Sequence, residues 1–64
     1  MEVLMTLKVT MDERFVIPHA EYIMKVTEIN QNGFVGYFKF PEDEQYSISL
    51  VLLRWENIFH MEKL

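Results

Sequence analysis

A chain of 64 residues has room for one domain, 1–64, and buries only about 60% of the surface its unfolded form exposes. Cysteine is absent, so disulfides and thiolate metal sites are excluded and the apolar core must carry the fold. Ten acidic against six basic residues give a net charge of −4, which disfavours a phosphate-binding surface.

Half of the chain is hydrophobic and aromatic residues make up 14%, which excludes a disordered tail. One small core holds fewer apolar side chains than this, so a homodimer is expected. The longest uninterrupted apolar stretch, Leu50 to Leu53, is too short for a membrane span. Glu2 stands where a signal peptide would carry positive charge. A cytoplasmic protein is the expectation.

In chain order, Val3, Met5, Leu7 and Val9 alternate with Thr6, Lys8 and Thr10, and this period of two predicts a half-buried strand over Val3 to Thr10. Asp12-Glu13-Arg14 makes a polar turn, and Phe15-Val16-Ile17 is an apolar stub closed by Pro18. Tyr22, Met24 and Val26 share one face of a second strand, which runs to Ile29. Asn32-Gly33 is the strongest hairpin signal in the chain, and it returns Phe34–Phe40 as an aromatic partner strand. Gly36 lies on the same face as Phe34, Phe38 and Phe40 and permits curvature or close backbone approach, while Tyr37 points away with Val35 and Lys39.

Pro41 to Gln45 is a charged loop, and Tyr46 to Leu53 alternates as a further strand. Beyond it two readings compete. Val51, Leu52, Trp55, Ile58 and Phe59 share a helical face, which allows a helix over Val51 to Glu62. The alternative ends the strand near Leu53, makes Arg54 to Asn57 one helical turn, and takes Phe59 to Lys63 as a last strand. The clear period of two before Leu53 favours the second. Trp55 is then expected to plug one end of the core.

The predicted fold is mainly β: a small antiparallel five-stranded SH3-like barrel or curled sheet with a short helical turn before the last strand. The order of strand, Asn-Gly hairpin, acidic loop, strand, tight turn and last strand over residues 22–63 resembles small SH3-like proteins encoded by phages and prophages. That resemblance implies a viral protein that blocks a host protein or defence complex. It carries no diagnostic residue, so no functional residue is transferred. Gly33-Phe34-Val35-Gly36-Tyr37-Phe38-Lys39-Phe40 also looks like the aromatic motif of RNA-recognition and cold-shock domains, whose sheet aromatics stack on bases. Val35 inverts which aromatics share a face, and few cations accompany them.

Catalysis finds little support. Ser47 and Ser49, the two serines, stand in a predicted strand without a nucleophile elbow, and neither Gly33 nor Gly36 belongs to a phosphate-cradling loop. No catalytic residue and no cofactor is assigned. His19-Ala20-Glu21 and His60-Met61-Glu62 repeat an H-x-E pattern that can place a nitrogen and an oxygen on one strand face. Two-residue coincidences are common, and no metal site is assigned. The expected function is a non-enzymatic protein-binding module, an inhibitor or adaptor, with Tyr37, Glu42, Asp43, Glu44 and Tyr46 as the partner-binding residues. A nucleic-acid-binding barrel of cold-shock or Sm-like type is the alternative, and a structural homo-oligomer is the third.

Overall fold

The computed structural model describes residues 2–64. Five antiparallel strands form one open sheet: β1 (Met5–Met11), β2 (Glu21–Asn30), β3 (Gly33–Lys39), β4 (Val51–Arg54) and β5 (Ile58–Lys63). Their spatial order is β4-β3-β2-β1-β5, so β4 and β5 are the two edges. A 3-10 turn at Trp55–Asn57 joins these edges directly. Three residues at about 2 Å rise each cannot cross a flat sheet with strands about 4.8 Å apart. The sheet must therefore curl, and that curl creates an inside. Within the turn, Trp55 N donates to the Asn32 carbonyl at 3.1 Å, and the Asn57 carbonyl accepts from Asp12 N at 2.7 Å. The turn thus ties the tip of the β2–β3 hairpin to the end of β1.

Period-two patterning decides the faces. Leu7, Val9 and Met11 on β1 and Tyr22, Met24 and Val26 on β2 point inward and are buried, as are Phe34 on β3 and Leu53 on β4. Each such side chain contributes about 1.5–3 kcal/mol when fully removed from water. Met11 and Met24 are completely buried, so at these positions methionine fills the core. Tyr22 centres an aromatic cluster, with ring centroids 5.2 Å from Phe38, 5.2 Å from Phe40 and 6.2 Å from Phe15. Its burial pushes the phenol above its usual range.

The hairpin forms where expected, with a different tip. Asn30 pairs with Gly33, so Gln31 and Asn32 are the two turn residues rather than Asn32 and Gly33. The Asn30 side chain builds the turn, its Oδ1 accepting from Asn32 N at 2.8 Å and Gly33 N at 3.2 Å. Gly33 follows with a φ of 153°, immediately against the β4 backbone. The register slips by one residue between Val26 and Glu28. Thr27 is the extra residue, and its hydroxyl donates to the Val35 carbonyl at 3.2 Å. Gly36 meets the β2 backbone so closely that a Cβ would collide with the Lys25 carbonyl, which is the close approach its sequence context predicts.

Two further expectations are corrected. The strand predicted from Tyr46 begins only at Val51. Before it, Ser47 serves β3 with a side chain: Ser47 N donates to the Phe38 carbonyl at 2.7 Å, and Phe38 N donates to Ser47 Oγ at 3.1 Å. Occupying both groups of Phe38 this way replaces a regular ladder and frees the segment to bend. Trp55 is 40% exposed rather than a core plug. Its ring leans on Phe34, centroids 4.6 Å apart, and its Nε1 donates to the Asn30 carbonyl at 3.1 Å. It therefore clamps the 3-10 turn onto the hairpin from outside. The C-terminal reading of turn followed by strand agrees with the structure.

Candidate partner-binding surface

The outer face of the sheet takes the alternate residues of each strand, Ile23 and Lys25 from β2 and Val35, Tyr37 and Lys39 from β3. Lys25 pairs with Tyr37, and Ile23 with Lys39. Ser47, anchored to Phe38, delivers its neighbour Tyr46 onto this face. The Lys25 ammonium lies 4.3 Å from the Tyr46 ring centroid, and that of Lys39 lies 5.6 Å away. Cation–π contacts of this kind contribute about 0.5–1 kcal/mol at exposed sites. Lys39 Nζ also donates to the Asp43 carbonyl at 2.6 Å, and Asp43 N donates to the Phe40 carbonyl at 3.0 Å.

Four of these links converge on one short connection. Of the predicted residues, Asp43 and Tyr46 are linked through Lys39, and Tyr37 lies beside Lys25 in the ladder, whereas the Glu42 and Glu44 side chains make no hydrogen bond or ion pair among the described residues. Glu42, Asp43 and Glu44 are exposed. Among the described residues, no ion pair involves them. Tyr37 and Tyr46 are half-buried.

Sequence reasoning missed Lys25 and Lys39 as part of this surface, along with its apolar strip. Ile48 is 98% exposed, and Leu50 and Leu52 are exposed beside it. A period of two over Tyr46 to Leu53 signals a strand but cannot reveal that only Val51 and Leu53 turn inward. Nor does any local signal link Lys25 to Tyr46, because that contact depends on the connection folding back over β2.

Two other features hold less chemistry. A cavity of about 220 Å³ lies among Phe15, Tyr22, Phe38, Val51, Leu52 and Leu53, below the roughly 300 Å³ at which small-molecule pockets usually begin. The two H-x-E pairs do not meet in a cluster. His60 Nε2 lies 3.9 Å from Glu62 Oε1 on β5, whereas His19 sits in the β1–β2 connection with a φ of 59°. Among the described residues, no three His, Asp or Glu side chains gather where they could hold a metal ion. No helix there is long and apolar enough to cross a membrane. No protein-family model matches the chain, and neither a curated protein nor a solved structure shows significant similarity to it.

Proposed function

We propose that the chain is a non-enzymatic protein-binding module, an inhibitor or adaptor that works by occupying another protein's surface through the β3–β4 connection. One observation carries this reading. Exposed apolar residues Ile48, Leu50 and Leu52 follow soon after three carboxylates that form no ion pair among the described residues, in a segment fastened to β3 by Ser47 and Lys39. An apolar centre with a charged border on a pre-ordered segment is the composition of a protein interface. The resemblance to phage-encoded SH3-like proteins supports the sharper form, a viral protein that blocks a host protein or defence complex, acting in the cytoplasm.

The second reading, nucleic-acid binding, gains from the two lysines around Tyr46 on the face that also carries Tyr37. The net charge of −4 and the neighbouring carboxylates weigh against it.

Affinity capture from host lysate, with and without nuclease, separates the two readings. Retention of one partner after nuclease treatment, lost for Ile48→Asp, supports the protein interface. Loss on nuclease treatment supports the second reading. For the captured partner, Glu42→Gln/Asp43→Asn/Glu44→Gln is expected to slow association several-fold at low salt, with the melting temperature unchanged and the difference fading as salt rises. Equal association rates at low salt would remove the acidic loop from the interface.

A further inference from the structure

The edge opposite β4 carries a separate surface. β5 pairs with β1 on one side only. Leu64 N donates to the Thr6 carbonyl at 2.9 Å, and Glu62 and His60 face Lys8 and Thr10 across the ladder. In an antiparallel ladder, residues alternate between directing their backbone groups toward one neighbour and away from it. Glu62 and His60 therefore spend their backbone groups on β1, and Met61 and Lys63 point theirs outward. A bulge at Phe59 disturbs only the start of the strand.

Exposed apolar area lies along the same edge: Phe59 is 74%, Leu64 64% and Met61 43% exposed. Natural edge strands are usually blunted by proline, charge, a bulge or shortness. β5 has no proline; its charges Glu62 and Lys63 and its bulge at Phe59 flank Met61, which directs its backbone groups outward.

The sequence of this edge is complementary to itself. Two β5 strands placed antiparallel about a two-fold axis at Met61 set Met61 against Met61, each donating its outward N–H to the other's outward carbonyl. His60 of each copy then faces Glu62 of the other, Phe59 comes opposite Lys63, and the exposed Phe59 and Met61 side chains gather near the axis. Moving the axis to Glu62 sets carboxylate against carboxylate, and moving it to His60 sets imidazole against imidazole. All three axes bring outward-directed residues opposite one another, so backbone direction allows each, and it is the Met61-centred register that opposes unlike groups.

We propose that β5 is a self-association edge through which two copies of this chain pair antiparallel about Met61, making one continuous sheet. The partner surface at the β3–β4 connection lies at the other edge of the sheet and stays free, so the two readings stand or fall separately.

Sedimentation equilibrium from 10 to about 500 µM is expected to show a species of twice the 7.7 kDa chain mass. A chain mass that stays at 7.7 kDa throughout overturns the proposal. Met61→Pro deletes an N–H that β1 does not use, so it should give a monomer; a persistent dimer would place the contact elsewhere. Should that variant unfold, charge exchange still decides. His60→Glu, which opposes two carboxylates at two symmetric places, is expected to weaken the dimer about tenfold. Adding Glu62→His restores it, and failure of the double variant to recover overturns the register. The chain has no cysteine, so Met61→Cys offers a direct reading. An antiparallel hydrogen-bonded pair stands about 5.5 Å apart at Cα, within disulfide reach. On mild oxidation Met61→Cys should cross-link about tenfold faster than Ile48→Cys, although Ile48 is the more exposed position. Equal rates would mean random collision.

Discussion

Gly33 is the residue whose replacement should cost the fold most for the fewest atoms added. Its φ of 153° lies where L-residues are strained, and a Cβ built there collides with the Leu53 carbonyl and comes within 2.9 Å of Arg54 Cα. Both obstacles are β4 backbone, so neither can move aside as a flexible side chain would. Backbone strain contributes about 1–2 kcal/mol, and overpacking adds about 1–3 kcal/mol. Reduced freedom of the unfolded chain returns up to about 1 kcal/mol. A net loss of about 2–4 kcal/mol is expected for Gly33→Ala, against roughly 3–10 kcal/mol in all for a domain of this size. Urea unfolding followed by tryptophan fluorescence measures it, since Trp55 sits directly on the affected hairpin. With a slope near 1 kcal/mol per M for so small a domain, the midpoint falls by about 2–4 M, or the variant is unfolded without urea. Gly36→Ala separates the two causes, because Gly36 has no positive φ but meets β2 backbone just as closely. It should cost about 1–3 kcal/mol. A Gly33→Ala midpoint within about 0.5 M of the parent would refute the steric argument, and equal losses at both glycines would refute the strain component.

Other positions give narrower outcomes. Ser47→Ala removes the acceptor of Phe38 N–H and the donor to the Ser49 carbonyl; it should lower stability by about 1–2 kcal/mol in urea unfolding and speed exchange of the Phe38 amide. Trp55→Ala loses the Phe34 contact and the Asn30 hydrogen bond from a side chain that is already 40% exposed, so a loss of about 2–3 kcal/mol with a retained fold by circular dichroism is expected, not outright unfolding. The Arg14 backbone N–H, 2.7 Å from Asp12 Oδ1, holds the Asp12 carboxyl below its usual 3.8. A carboxyl depressed on folding contributes stability that is present above that value and lost as pH falls through the folded-state pKa. Asp12→Asn keeps an acceptor oxygen but cannot titrate, and should flatten the acid limb of a melting-temperature profile below pH 4; an unchanged limb would exclude Asp12 as a source of acid sensitivity.

The strands of the core were legible because one face of each is buried, and burial writes a period of two into the residues that face it. Val9, Met24 and Phe34 announce their direction through their neighbours. The hairpin was legible for a partly different reason than the one that builds it. Asn32-Gly33 signals a turn, yet the side chain of Asn30 closes it, and Gly33 serves mainly to let β4 approach. An Asn two places earlier is a weak signal by itself, since Asx turns and Asn-Gly turns draw on the same residues. Trp55 was misplaced for a related reason. A single tryptophan in a small apolar chain is assigned to the core on average burial, whereas a clamp between a 3-10 turn and a hairpin also covers one ring face and satisfies the indole N–H.

The outer surface was legible only in fragments, and the physical reason lies in the connection from Phe40 to Leu50. Alternation over Tyr46 to Leu53 is genuine, but a strand needs a ladder as well as a pattern. Ser47 satisfies both backbone groups of Phe38, one with its N–H and one with its hydroxyl, so the ladder to β3 resumes only at Val51. That local substitution costs no hydrogen bond and leaves no orphaned polar group among the described side chains. It nevertheless redirects everything around it: Tyr46 swings over Lys25, Lys39 reaches the Asp43 carbonyl, and Ile48 is left in water. Exposing Ile48, Leu50 and Leu52 forfeits burial that a continuous strand facing the core could have supplied. In a domain this small, with few kcal/mol in reserve, the partner we propose for this segment would recover that forfeited burial.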